Sequence, residues 1–278
     1  MGIINEYHEP TTFNGVERPV IDNKISPSTW REIGFGISGN LNEIYSKYQL
    51  YLVNGLSGYE TAGVFSGSKT LRDGRLKGSK AYVTSPALSG KYEFYGISNL
   101  TVGLSGYFGK SNSKLLQNMD KNDQAAVAKA DSSMVGIAMF GADARFQTKG
   151  FKFTGQFYYT GLSNTEAYNK FTAKGNLPND LGSAMLGYYA EVGYNVFQTV
   201  ESIKTELMPF VRYEAYNTHL AVAGNTIKNK AYNNTVITTG LTCTLIKGAV
   251  LKADLQFIKS KADAEFTKAF NAGVGVMF

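Results

Sequence analysis

Along much of this chain every second residue is apolar, and the residues between are small or polar. Phe151, Phe153, Phe157 and Tyr159 are interleaved with Lys152, Thr154, Gln156 and Thr160. Just upstream, Ala138, Phe140, Ala142, Ala144 and Phe146 alternate with Gly141, Asp143, Arg145 and Gln147. A period of two predicts β-strands whose two faces meet different surroundings. Between these stretches lies Thr148-Lys149-Gly150, a tight hairpin with a glycine available for positive φ. The same alternation recurs around residues 33–37, 100–108, 184–196, 207–213, 237–245 and 251–257. About eleven to twelve strands are predicted, each near the roughly 9–11 residues that cross a bilayer at barrel tilt.

Alternation alone also fits a soluble β-sandwich, but two features argue against one. The polar phase carries full charges in mid-strand, at Asp143, Arg145, Lys152, Glu191, Arg212 and Asp254, as suits a wet interior. The connections alternate in length too. Short turns fall at 42–45, 97–99, 148–150, 198–202 and 247–248; long polar loops fall at 55–86, 111–132, 164–182 and 217–232, with 261–265 a brief exception. Short turns at one end and long loops at the other organise a transmembrane barrel. The expected fold is all-β, an antiparallel up-and-down transmembrane barrel, with residues 1–278 as one domain. Pro209 interrupts an otherwise good strand and predicts a bulge there.

Composition agrees. Tyr (18) and Phe (17) supply nearly all the aromatics, Gly reaches 30, and Pro (6) and Cys (1) are scarce. Mean hydropathy is -0.18, too polar for a helical membrane protein, and no apolar run approaches the roughly 20 residues of a spanning helix. The net charge of +6 comes from dispersed Lys and Arg without a basic cluster, which argues against a nucleic-acid partner. The single Cys243 excludes an internal disulfide framework.

The last strand is the most specific clue. Counting back by twos from the end gives Phe278, Val276, Val274, Ala272 and Phe270, an unbroken apolar face. Phe270 and Phe278 resemble the terminal signal read by the barrel-assembly machinery. No export signal precedes the strands, and the turn order makes 6–28 an extracellular loop and 1–5 the top of an ascending strand. The barrel is therefore expected to lack its N-terminal strands.

Catalytic chemistry is sparse. His8 and His219 fall in predicted loops with no obvious nucleophile beside them, and no Cys/His spacing suits a metal. Gly34-Phe35-Gly36-Ile37-Ser38-Gly39 has the letters of a dinucleotide fingerprint, but it lies in a strand with no helix after it. No enzyme activity, cofactor or metal is expected. Loop 55–86 is the best functional candidate, because Arg72, Arg75 and Lys77 make it basic. Folded into a pore, it would favour anions at a constriction. Arg145, Lys152, Arg212 and Lys252, on the polar phase of their strands, are the further anion-contact candidates. No large apolar residues are evident on that phase, which argues against a sealed structural barrel.

His8-Glu9-Pro10-Thr11-Thr12-Phe13-Asn14-Gly15-Val16-Glu17-Arg18-Pro19, the stretch Ile25 to Gly36 around Trp30, and Tyr48-Gln49-Leu50-Tyr51-Leu52-Val53-Asn54-Gly55 together resemble outer-membrane porins grouped with the phosphate-selective porins. The resemblance is motif-like over residues 8–110 and architectural beyond. It implies a barrel of about sixteen strands in the outer membrane of a Gram-negative bacterium, often trimeric, passing small anionic or neutral solutes, with lipid and lipopolysaccharide around it. The chain departs from the family in having no arginine ladder, since Asp143 and Glu214 offset Arg145 and Arg212. An autotransporter-type translocator is the alternative. It would need a helix threading the pore, and the prolines among residues 1–28 do not read as one.

Deleting Phe278 is expected to leave precursor in the periplasm. An unchanged yield of heat-modifiable barrel in the outer-membrane fraction would refute a role for this residue in assembly.

Overall fold

In a computed structural model, which describes every residue except His8, Asn118, Glu201 and Phe278, the alternating segments become an antiparallel meander. Its strands are β1 (Gly34–Leu41), β2 (Ser46–Val53), β3 (Ala87–Ile97), β4 (Leu100–Lys110), β5 (Gly136–Thr148), β6 (Phe151–Ser163), β7 (Ala184–Tyr194), β8 (Glu206–Ala221), β9 (Asn233–Ile246), β10 (Ala249–Ser260) and β11 (Thr267–Val276). They form one 11-stranded sheet in strict sequence order. Among the described residues three α-helices lie apart from the sheet, α1 (Ile21–Lys24), α2 (Gln124–Ser132) and α3 (Thr165–Phe171). A short parallel pair joins Ser57–Tyr59 to Asn112–Ser113.

The sheet is inside out. Its convex face carries Phe35 (75% exposed), Leu104, Phe140, Val211, Leu255 and Val274 (73% exposed). Its concave face carries Glu93, Asp143, Gln156, Glu191, Arg212, Glu214, Thr238 and Asp254, all buried. That inversion is the wall of a transmembrane barrel, apolar toward lipid and polar toward the lumen. The predicted tight turns lie between β1 and β2, β3 and β4, β5 and β6, and β9 and β10, and the long loops lie at the opposite end. Among the described residues no helix is long and apolar enough to cross a membrane.

β1 and β11 each pair on one side only. Both run from the loop end to the turn end, because an odd number of strands separates the same direction from itself. They therefore cannot pair antiparallel with each other. Nor can they do so with a copy inserted the same way up.

Two expectations fail here. Pro209 makes no bulge: β8 keeps unbroken register with β9 through Pro209↔Leu241. The reason is the direction in which its missing donor points. Leu207, two residues earlier, turns both backbone groups toward β7, donating to Asn195 Oδ1 and accepting from Val196 N. Pro209 faces the same way, and the ladder with β7 begins only at Phe210. The second failure concerns the start of the chain. Residues 1–5 are not a strand, and 6–28 are not an outer loop; both run through the lumen.

Leu241 lies on the convex face. Leu241→Arg is expected to destabilise the wall on refolding into lipid vesicles by about 2–4 kcal/mol. A change below about 0.5 kcal/mol, typical of a water-exposed surface, would mean that this face does not meet hydrocarbon.

Candidate functional site: the lumen and the segment that crosses it

Strand register decides which charges meet. Lys47 lies opposite Glu93, and Glu191 lies opposite both Thr154 and Arg212. Thr154 in turn pairs with Arg145, so Arg145, Thr154, Glu191 and Arg212 share one level of the lumen. Two ionic groups result. On the β2–β5 side, Lys91 contacts Glu93 at 3.0 Å, and Arg145 Nη2 contacts the same carboxylate at 2.5 Å. On the β7–β10 side, Arg212, only 1% exposed, meets Glu214 at 2.9 Å and Glu191 at 3.3 Å.

The segment preceding β1 bridges the two groups. Ile3 N donates to Gln156 Oε1 at 3.1 Å, and Tyr158 donates to Asp22 Oδ1 at 2.8 Å. Glu6 accepts from Lys47 at 3.1 Å and from Lys91 at 2.6 Å, while Tyr7 lies beneath the Arg145 guanidinium. The chain then reaches the β10–β11 wall, where Val16 N donates to Asp254 and Lys252 donates to the Phe13 carbonyl, both at 2.6 Å. Asn14 donates to Glu191, and Val20 N to Glu214. Ile21 and Ile25 pack with Tyr158 and Tyr189 on the way back to the loop end. The acids Glu6 and Asp22 went unnoticed in the sequence. The one signal for them was a supposed outer loop that carries the apolar residues Ile3, Ile4, Ile21 and Ile25 alongside its charges.

Loop 54–86 folds inward as a cover. Leu56, Phe65 and Leu71 pack with Tyr107, Ile137, Met139, Leu162, Tyr168 and Met185. Apart from Tyr168 on α3, these partners are wall residues of the lumenal phase near the loops, so large apolar side chains do line that end, contrary to the sequence expectation. The polar phase simply changes character along its length. The Tyr168 hydroxyl, pushed up to about 12 by burial, donates to the Gly58 carbonyl and accepts from the Val64 and Phe65 amides. Arg72 and Arg75 do not line an open passage. Arg72 donates to Ser28 Oγ, and Arg75 to the Ser28 carbonyl and Thr29 Oγ1, so they fasten the returning segment to the cover. Lys77 is exposed.

On the turn side of the crossing segment, a cavity of about 830 Å³ is lined by Arg145, Lys149, Lys152 and Arg212, with Glu191 as its one acid. Arg145, Lys152 and Arg212 thus meet in one vestibule, while Lys252 is turned away onto Phe13. Phe270 lies on the lipid face at 70% exposure, and Phe278 lies outside the described residues. His219 is a loop staple: its Nε2 bonds the Asp180 carbonyl, and its Nδ1 accepts from Asn229 N. His8 lies outside the described residues. Among the described residues no group of three or more His, Cys, Asp or Glu could hold a metal ion.

No family model matches the chain. A protein of Aquifex aeolicus (strain VF5), described as an uncharacterized protein, is 31% identical in an alignment of 278 positions that covers 97% of this chain and 58% of that one. Among solved structures, the chain is similar to an anion-selective porin from Comamonas acidovorans, with TM-score 0.46, 14% identity, and coverage of 88% of this chain and 54% of the porin. It is also similar to Salmonella typhi OmpF in complex with daunomycin, with TM-score 0.47, 11% identity, and coverage of 84% and 56%. The chain spans little more than half the length of each of these three proteins.

Arg212→Ala would leave Glu191 and Glu214 buried without their cation, at a cost of about 3–5 kcal/mol. Urea refolding should show that loss, together with new protease cleavage within residues 14–20. A stability within about 0.5 kcal/mol of the parent would mean that the crossing segment is not anchored there.

Proposed function

We propose that this wall forms a diffusion channel of the porin type in the outer membrane of a Gram-negative bacterium, without an enzymatic step. Small solutes pass between the strands and the crossing segment, and the turn-side vestibule favours anions. The observation that carries the reading is an inverted sheet whose lumen, on the turn side of the apolar cover, holds a sizeable polar cavity. Its anion preference is supported by Lys149 and Lys152, which face one space together with the ion-paired Arg145 and Arg212, and by Glu191 being the one acid among the lining residues. Arg suits phosphate and carboxylate because its planar fork donates to both oxygens. Such a channel would sit in lipid along its apolar band and meet lipopolysaccharide at its loops, in the trimer that its porin-like sequence implies. Because both free edges run the same way, antiparallel closure takes an odd number of further strands; five would give the roughly sixteen of the resemblance.

The translocator alternative calls for a helix through the pore. Among the described residues of the crossing segment only Ile21–Lys24 is α-helical, which favours the channel.

Arg145→Gln combined with Lys152→Gln should move the reversal potential of the reconstituted protein toward cations in a salt gradient. The shift should fade toward 1 M salt, where screening falls to about 3 Å. An unmoved potential at low salt would remove the vestibule from selectivity, and absence of any conductance would remove the channel.

A further inference from the structure

On the other side of the crossing segment lies a second cavity, of about 340 Å³, with the opposite chemistry. Its walls are largely aromatic, formed by Trp30, Tyr51 and Tyr107, with Glu32 as the one lining side chain charged at neutral pH. The strand register explains the grouping. Tyr51 pairs with Gly36 on one side and Ser89 on the other, and Ser89 pairs with Tyr107, so all four lie at one level of the lumenal phase. Gly36 is required there, because a Cβ would stand 2.4 Å from the Tyr51 ring and 2.2 Å from the Leu50 carbonyl. Trp30 leans on Tyr107 with ring centroids 4.7 Å apart.

Glu32 is oriented but not neutralised. Its Oε1 accepts from Trp30 Nε1, which fixes both the indole and the carboxylate. Its Oε2 is buried without a hydrogen bond of ordinary geometry, and the Asn54 side chain nearby only partly offsets that burial. Burial holds this carboxyl above the usual carboxylate range, as expected of a charge that lacks its counterion. No Lys or Arg lines the cavity to supply one. Aromatic faces attract cations through their ring quadrupoles, and they do so best when water is excluded. A lone carboxylate against three aromatic rings is a complementary set for an ammonium group.

We propose that this cavity binds a small organic cation, a primary or quaternary amine carried in the lumen. The lining strand residues belong to the lumenal phase, so the ligand is a free solute and not a lipid headgroup. The site rests on the geometry of the cavity alone and stands whether or not the lumen conducts.

Trp30 is the chain's single tryptophan, so intrinsic fluorescence reports on this cavity directly. The refolded full chain would be titrated with choline and with its uncharged isostere, 3,3-dimethylbutan-1-ol. Choline should change the emission saturably, and the isostere should bind at least about tenfold more weakly. Glu32→Gln, whose side-chain oxygen still accepts from the indole, should lose at least about tenfold in choline affinity. Tyr51→Leu should weaken choline without that dependence on charge. Heat-modifiable mobility would verify that each variant folds. No saturable change, equal response to choline and the isostere, or parental affinity in both variants would overturn the proposal.

Discussion

Hydrocarbon offers no hydrogen-bond partner, so a chain that crosses it must satisfy each backbone N–H and C=O within its own structure. In this protein the antiparallel ladder meets that demand for the nine strands between β1 and β11, and most of the rest follows from it. A ladder fixes period two, and period two forces each strand to present one face to lipid and one to the lumen. The lipid face then selects Phe, Leu, Val and Ile, and the lumenal face is free to carry charge. Neighbouring strands in register turn isolated charges into rows, as in the level holding Arg145, Thr154, Glu191 and Arg212. Pro209 fits the same rule: it sits where its missing donor has no ladder partner to lose.

The lumen is where this constraint gives way to ordinary aqueous protein chemistry. Buried charges there are costly unless paired, and the crossing segment takes part in both ionic groups, Glu6 on one wall and the Asn14 side chain with the Val16 and Val20 amides on the other. The same segment divides the interior. Toward the turns lies a vestibule with four basic side chains and one acid; toward the loops lies an aromatic niche with Glu32. Two compartments of opposite polarity within one lumen arise from one peptide laid across it.

The wall was legible from sequence because its signal is local. Phe151 to Thr160 alternates within a few residues, and the hairpin at Lys149-Gly150 closes without reference to anything distant. The path of the first residues was not legible, because its determinants are remote. Ile3 meets Gln156, Val16 meets Asp254 and Val20 meets Glu214. Nothing near residue 16 announces a partner that far along the chain. Arg72 and Arg75 show the same limit from the other side: their charge marked the loop, but only the fold shows them holding Ser28 and Thr29. The apolar Ile137, Met139 and Met185 on the lumenal phase are likewise explained only by loop 54–86, which supplies the cover they pack against.

In the channel reading, the polar face of this sheet borders water that solutes can enter. Single cysteines placed along β6 in a Cys243→Ala background would test it most directly, using a membrane-impermeant charged thiol reagent on the protein reconstituted in vesicles and planar bilayers. Positions 152 and 154 should react and lower the conductance, while 151, 153 and 157 should resist the reagent and leave conductance unchanged. Uniform reactivity along the strand, or modification at 154 that leaves current untouched, would contradict the account.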